Sequence, residues 1–316
     1  MVSIVGSAYE PGGHFVYVDE LVRLRGISDE VKSAIRPRGV PVIQGDTEER
    51  VAVMLQRALD LSLAKAAITH LDVASMSVST TTPFCHYPSV LPYFTKMLFN
   101  RQMRGSQMFS GAIGPLITIH EQRAAQGTTV VVGLDVFSNW RHRVEQKRQH
   151  TVLQNARHAD SVGTLILDER DTNCLRVLSS DYLVCPTICA DYYIPVPKVG
   201  ECLSPVELGQ NPDGERELVN ALITLTRTQL DLMNVSVTDI GAFCLPEVSL
   251  VSVRSIVKAL EVPDDKVVAN DLMLGASSLI WNVSRLEENL NRYEYALVMV
   301  ADFSTSAIGV LLIQRL

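Results

Sequence analysis

The chain has 316 residues, 47% hydrophobic and 20% charged, which is enough for a sizeable core and excludes a disordered composition. A formal charge of −7, from 28 Lys and Arg against 35 Asp and Glu, supplies no basic field to recruit nucleic acid. The longest apolar runs, such as 130–134 and 295–301, are strand-length and fall short of the roughly 18 residues that a membrane helix needs.

The start, Met-Val-Ser-Ile-Val-Gly, has no basic n-region, so the expectation is a soluble, cytoplasmic protein without a signal peptide. Six cysteines in a chain of this length read as buried thiols of a reducing compartment. Cys185-Pro-Thr-Ile-Cys189 has a three-residue gap and no histidine downstream, so it lacks a zinc pattern. Neither a metal nor a cofactor is expected.

In chain order, residues 48–63 carry Val51, Met54, Leu55, Ala58 and Leu59 at helical spacing, behind Asp46 and Glu49 in a capping-box arrangement. Residues 71–78 read as a strand. In Gln107-Met-Phe-Ser-Gly-Ala-Ile-Gly-Pro115 a strand turns into a buried helix, with small residues that let the helix start close to something. Residues 128–135 and 162–167 read as further strands, residues 215–232 as a second amphipathic helix, and 238–245, 295–302 and 308–313 as strands again. The strands are continuous apolar runs, as expected for sheets covered on both faces by helices.

One unit is present twice. An offset of 167 residues takes Asp72 to Asp239 and Asp135 to Asp302. The last pair, 162–167 and 308–313, is offset by 146, which places about 21 extra residues in the first half between Phe137 and Ala159. The expected division is 1–170 and 171–316, with an insertion at about 138–158.

Two α/β halves of this order resemble the thiolase fold, and several stretches look like ketoacyl-ACP synthase III. Thr81-Thr-Pro83 followed by Pro88-Ser89 is similar to the family's Thr-Pro and Pro-Ser positions. His158-Ala-Asp-Ser-Val-Gly-Thr164 sits where the family carries Gly-Asp-Gly-Ala-Gly-Ala, and the run from Lys258-Ala-Leu260 through Val267-Val268 to Gly275 follows its closing helix and glycine turn. The resemblance covers nearly the whole chain. It implies two pseudo-symmetric α/β halves in a layered αβαβα arrangement.

The resemblance also implies a Cys-His-Asn site, with the cysteine before Ser-Gly at a central helix N-terminus, where amides and the helix dipole lower the thiol pKa and hold the acyl oxyanion. Here Phe109 precedes Ser110-Gly111, Pro246 or Glu247 takes the histidine position, and Gly275-Ala276 takes that of Gly-Asn. The C-terminal glycine turn reads Phe303-Ser-Thr-Ser306. The offset of 167 takes Phe109 to Ala276, positions expected to be related by the internal symmetry. Two losses hold in any register: no cysteine lies between Cys85 and Cys174, and all seven histidines (14, 70, 86, 120, 142, 150, 158) fall in the first half.

The function expected is therefore a non-catalytic subunit of an acyl-condensing enzyme of fatty-acid, polyketide-type or specialised metabolism. It would act as a homodimer or as a heterodimer with a Cys-containing ketoacyl synthase III-like chain. An alternative is an atypical acyltransferase or thioester hydrolase that uses Ser110, with Glu247 or His86 as base, or that forms no covalent intermediate. Against it, Ser110 lacks the first glycine of a Gly-x-Ser-x-Gly elbow and is expected to cap the helix instead. A third reading is a protein that sequesters an acyl chain or carrier. Cys244 is expected to be a buried strand thiol. Arg141, Arg143, Lys147 and Arg148 offer a basic patch for acyl carrier protein or acyl-CoA, or else a solvated face paired with Glu145. Arg36 and Arg38 fall near the family's CoA adenine site, without the tryptophan that accompanies it there.

Overall fold

The computed structural model describes residues 2–17, 39–42, 47–81, 89–122, 127–136, 159–170, 174–186, 192–193, 207–208, 212–268, 274–288, 293–302 and 305–316. Its frame is a mixed sheet of ten strands, built as two runs of five joined along one edge. The first run uses β1 (Ser3–Pro11), β4 (Val73–Ser79), β5 (Arg104–Met108), β6 (Thr128–Asp135) and β7 (Ser161–Asp168). The second uses β8 (Leu175–Val184), β11 (Ile240–Cys244), β12 (Val267–Val268), β13 (Tyr295–Asp302) and β14 (Ala307–Arg315). Two hairpins lie outside the sheet, β2 (His14–Tyr17) with β3 (Gly39–Val42) and β9 (Tyr192–Tyr193) with β10 (Glu207–Leu208).

Strand order is the same in both runs. From the outer edge inward it reads β5-β4-β6-β7-β1 in the first and β12-β11-β13-β14-β8 in the second. The outer three strands of each run are parallel and the inner pairings antiparallel. The runs meet where β1 pairs with β8, through Ser3 opposite Arg176 and Ile4 opposite Leu175. The duplicated unit is thus a duplicated sheet.

Burial explains the composition of these strands. Every residue of β6 is buried, and β13 and β14 are buried over nearly their whole lengths, because each sheet face is covered. Helix α1 (Thr47–Ala66) covers the outer face of the first sheet, inserting Val51, Leu55, Leu59 and Leu63 among Val73, Met76, Val130 and Ile166. Helix α4 (Pro212–Met233) does the same for the second with Leu218, Leu222 and Leu230, joined by Ile256 and Leu260 of α5 (Leu250–Leu260). The short α2 (Leu91–Phe94) runs on into a π-helical turn beside β5. Expected and observed helices agree, at 48–63 against Thr47–Ala66 and 215–232 against Pro212–Met233. Asp46, the expected cap, and the insertion at 138–158 lie outside the described residues.

Between the two sheets lie α3 (Gly114–Gln122) and α6 (Ser278–Glu288), each entered through a 3-10 turn, Gly111–Ile113 and Gly275–Ser277. Glycines in the inner strands let these helices come close. A methyl group added to Gly163 of β7 would lie 2.7 Å from Ile280 Cγ2 of α6, and one added to Gly309 of β14 would lie 2.1 Å from Leu116 Cδ2 of α3. Each central helix therefore packs into a glycine notch in the sheet of the other half. The result is the five-layer αβαβα order expected from the sequence.

Candidate functional site

The C-terminal ends of the parallel strands converge on the heads of the two central helices, where open α/β sheets place ligands. From β4 come Ser79, Thr80 and Thr81; from β6, Asp135; from β13, Asp302; and from the turn after β11, Pro246 and Glu247. The helix heads contribute Ser110-Gly111-Ala112 and Leu274-Gly275-Ala276.

Gly111 and Gly275 both have positive φ, +51° and +54°, so only glycine enters these turns without strain. Each is pressed against a carboxylate from the other half. A methyl on Gly111 would lie 1.9 Å from Asp302 Oδ2, and one on Gly275 would lie 2.2 Å from Asp135 Oδ2. The next amide bonds the same oxygen: Ala112 N–H donates to Asp302 Oδ2 at 2.7 Å, and Ala276 N–H donates to Asp135 Oδ2 at 2.6 Å. The something that the small-residue step lets the helix approach is Asp302, together with Ser79, whose Oγ would stand 1.8 Å from a methyl on Gly114.

This arrangement corrects the internal pairing expected from the sequence. Gly111 corresponds to Gly275 and Ala112 to Ala276, an offset of 164 rather than 167. Ile280 over Gly163 and Leu116 over Gly309 obey the same offset. Phe109 is thus not the partner of Ala276. It lies three residues before the helix-head alanine, with its side chain 56% exposed. The physical reason is that the loops between strand and helix differ in length, so the spacing of the strands does not carry over to the helices.

Ser110 occupies the cap position of the 3-10 turn, at φ −122°, yet its side chain makes no capping bond. Its hydroxyl meets Ser79 Oγ at 3.5 Å, and Ser79 Oγ donates to the Gly111 carbonyl at 3.1 Å. The expected serine cap is replaced by Asp302, whose carboxylate accepts the Ala112 N–H. Glu247, the proposed base for Ser110, is directed elsewhere. It is 7% exposed, and its carboxylate accepts the Leu274 N–H at 2.9 Å and the Gly275 N–H at 3.3 Å. The structure therefore fixes Glu247 at the head of the second central helix and Ser110 against β4, with no hydrogen bond between them. Pro246 is buried and its carbonyl accepts from Val248 N–H at 2.9 Å.

Asp135 also ties β4 to this junction, accepting from Thr81 N–H at 2.7 Å, Thr81 Oγ1 at 2.8 Å and Thr80 Oγ1 at 3.2 Å. Cys244 is a buried strand thiol; burial pushes it up to about 12, opposed by Arg285, so it is no nucleophile near neutral pH. Among the described residues no group of three His, Cys, Asp or Glu is placed to hold a metal ion. No helix among them is long and apolar enough to cross a membrane. Arg36, Arg38, His86, Arg141, Arg143, Lys147 and Arg148 lie outside the described residues.

Sequence reasoning missed Ala112, Asp135 and Asp302 as members of the site. The signal was present: Gly111-Ala-Ile-Gly114 and Gly275-Ala-Ser-Ser278 are matching openings, and both aspartates close largely apolar strands.

No protein-family model matches the chain, and no curated protein matches it. Solved structures do. The tetronic acid condensing enzyme AbyA1 superposes with TM-score 0.82 at 16% identity, over 99% of this chain and 100% of the other. The 3-oxoacyl-[acyl-carrier-protein] synthase III of Aquifex aeolicus VF5 gives 0.80 at 13%, over 100% of both chains. PKS-I of the brown alga Ectocarpus siliculosus gives 0.84 at 10%, over 100% of this chain and 98% of the other. At these identities the likeness establishes the fold: this is a thiolase-fold protein resembling ketoacyl-ACP synthase III.

Proposed function

We propose that this thiolase-fold chain is a non-catalytic partner subunit of an acyl-condensing enzyme, with Ala112 and Ala276 standing where the resembled family carries its nucleophilic cysteine and its asparagine. The pairing of these two alanines at the heads of the central helices carries the reading. In the resembled fold those two positions are related by the internal symmetry, so an asparagine position at Ala276 puts the nucleophile position at Ala112 rather than Phe109. A methyl group forms no thioester and donates no hydrogen bond.

The third position adds to the case. Glu247, at the histidine position, offers an acceptor-only carboxylate when ionised, and that carboxylate is already engaged by the Leu274 and Gly275 amides. In any register, the chain has no cysteine between Cys85 and Cys174 and its second half has no histidine. The Ser110 reading loses support because its hydroxyl is paired with Ser79 rather than with a base.

In the resembled fold, dimers join their sheets edge to edge. The outer strand of the first run here is β5, which among the described residues pairs only with β4. Its residues Arg104, Gly105 and Ser106 are exposed, and Phe109 projects just beyond it. We therefore read β5 as the contact edge and Phe109 as an interface side chain. The fold neighbours named above include acyl-condensing enzymes, which favours a catalytic partner of that class supplied with substrate by acyl carrier protein or acyl-CoA. Free thiols at Cys174, Cys185 and Cys244 fit a reducing, cytoplasmic setting.

Native mass spectrometry of the tagged chain purified from its own host tests the reading. The expected species is a heteromer with a Cys-containing thiolase-fold chain. A homodimer that turns over acyl thioesters unaided would overturn it.

A further inference from the structure

The charge of this chain is unevenly placed. Acids make up 35 of its 316 residues, yet the stretch from Val73 to His120 contains no Asp or Glu. Its only Lys or Arg residues, Lys96, Arg101 and Arg104, lie between the π-helical turn after α2 and the first residue of β5. The fold gathers them at one edge of the sheet. A cleft of about 740 Å³ opens there, lined by Leu91, Pro92 and Met103 and by Lys96, Asn100 and Arg101, with no carboxylate of the described residues in its wall. Arg101 is committed: its Nη2 donates to the carbonyls of His70, Leu71 and Val73, and Asp72 lies within reach of its charge. Lys96 and Arg104 are exposed, and neither side chain makes a hydrogen bond or ion pair among the described residues. Two large side chains of the same segment, Tyr93 of α2 and Phe109 beyond β5, are exposed as well.

Exposed aromatic side chains beside an open strand edge mark a surface that another chain covers, whereas charged side chains on such an edge deter pairing with a copy of itself. A second copy docked on β5 brings the same two free cations and, within the whole segment, no acid to meet them. An acidic edge meets them directly. We propose that the β5 face excludes a second copy of this chain and selects a partner chain whose matching edge is acidic. This rests on the reading of β5 as the contact edge and adds the chemistry of what it contacts.

The probe is a copy of the full chain carrying Lys96→Glu and Arg104→Glu, which supplies the same edge with acids on it. Sedimentation velocity gives the dissociation constants of the wild type alone, the variant alone and their equimolar mixture, at low and at high salt. The wild type has a formal charge of −7 and the variant is more acidic still, so attraction between them cannot come from net charge. A control carries Arg254→Glu and Lys258→Glu, the same charge change at exposed positions of α5.

At low salt the mixture is expected to associate at least about tenfold more tightly than either protein alone, and the gain should shrink as salt screens the pairs. Each single reversal is expected to give part of the gain, and the control none. A mixture no tighter than the wild type alone, whether both associate or neither does, overturns the proposal; so does an equal gain with the control. Which chain is bound in the host and whether this chain reacts are read by native mass and acyl labelling, so a wrong edge chemistry and a wrong functional reading fail in different measurements.

Discussion

Gly111 is the residue on which the helix head turns. Its φ of +51° and the 1.9 Å between an added methyl and Asp302 Oδ2 are two separate reasons for glycine. Alanine there incurs about 1–2 kcal/mol of left-handed strain, and the carboxylate must also move. Gly111→Ala is expected to lower unfolding stability by about 2–4 kcal/mol in urea denaturation. In Gly111→Ala/Asp302→Gly the collision is gone while the strain and the lost cap remain, so the double variant should be less destabilised than the sum of the two. Strict additivity would mean that glycine and aspartate do not meet. The sequence made part of this legible. The absence of a cysteine between Cys85 and Cys174 and of a histidine from the second half could be counted without any alignment, but the register of the helix head could not be read from strand spacing. Only Ser110 and Gly111 lie between Phe109 and Ala112, and the match of Gly111-Ala-Ile-Gly114 to Gly275-Ala-Ser-Ser278 is too short to stand out beside the longer strand repeats.

At the scale of elements, the repeat was the most legible feature because it was written in buried strands. β6 and β13 are bounded as expected, since each is a β-branched, apolar run closed by an aspartate. β1 and β8 escaped notice although they join the two sheets. Gly6 and Ser7 interrupt one, and Ser179-Ser180-Asp181 the other, so neither reads as an apolar run; their polar side chains are paid for by partners far away in sequence, such as Gln229 accepting from Ser179. The glycine notches belong to this scale too. Gly309→Ala would place a methyl 2.1 Å from Leu116 Cδ2 and is expected to destabilise the fold by about 1–3 kcal/mol through overpacking. Leu116→Ala alone should cost about 2–5 kcal/mol. Their combination should fall short of the sum by at least 1 kcal/mol, because the second methyl then fills part of the cavity left by the first. A double variant that equals the sum would argue against α3 seating in the β14 notch.

For the molecule as a whole, the two halves are held together at the heads of the two central helices. Asp135 and Asp302 each leave one half to cap the helix of the other, over sequence separations of 141 and 190 residues. Contacts so distant in the chain leave no local pattern, which is why the aspartates were legible only as ends of strands. Glu247 is a shorter-range case: its place in the turn after β11 could be read, but not its attachment to the Leu274 and Gly275 amides 27 and 28 residues away. With alanine at both helix heads and a carboxylate on each following amide, the helix heads are closed by the chain itself; under the function proposed above, nucleophile and oxyanion donor are absent together. Intact-mass spectrometry of the purified chain after incubation with acyl-CoA and acyl-carrier thioesters, with Ser110→Ala as control, tests this most directly. The account predicts no acyl adduct and no thioester turnover in either protein; a stoichiometric adduct on the wild type that disappears in Ser110→Ala would contradict it.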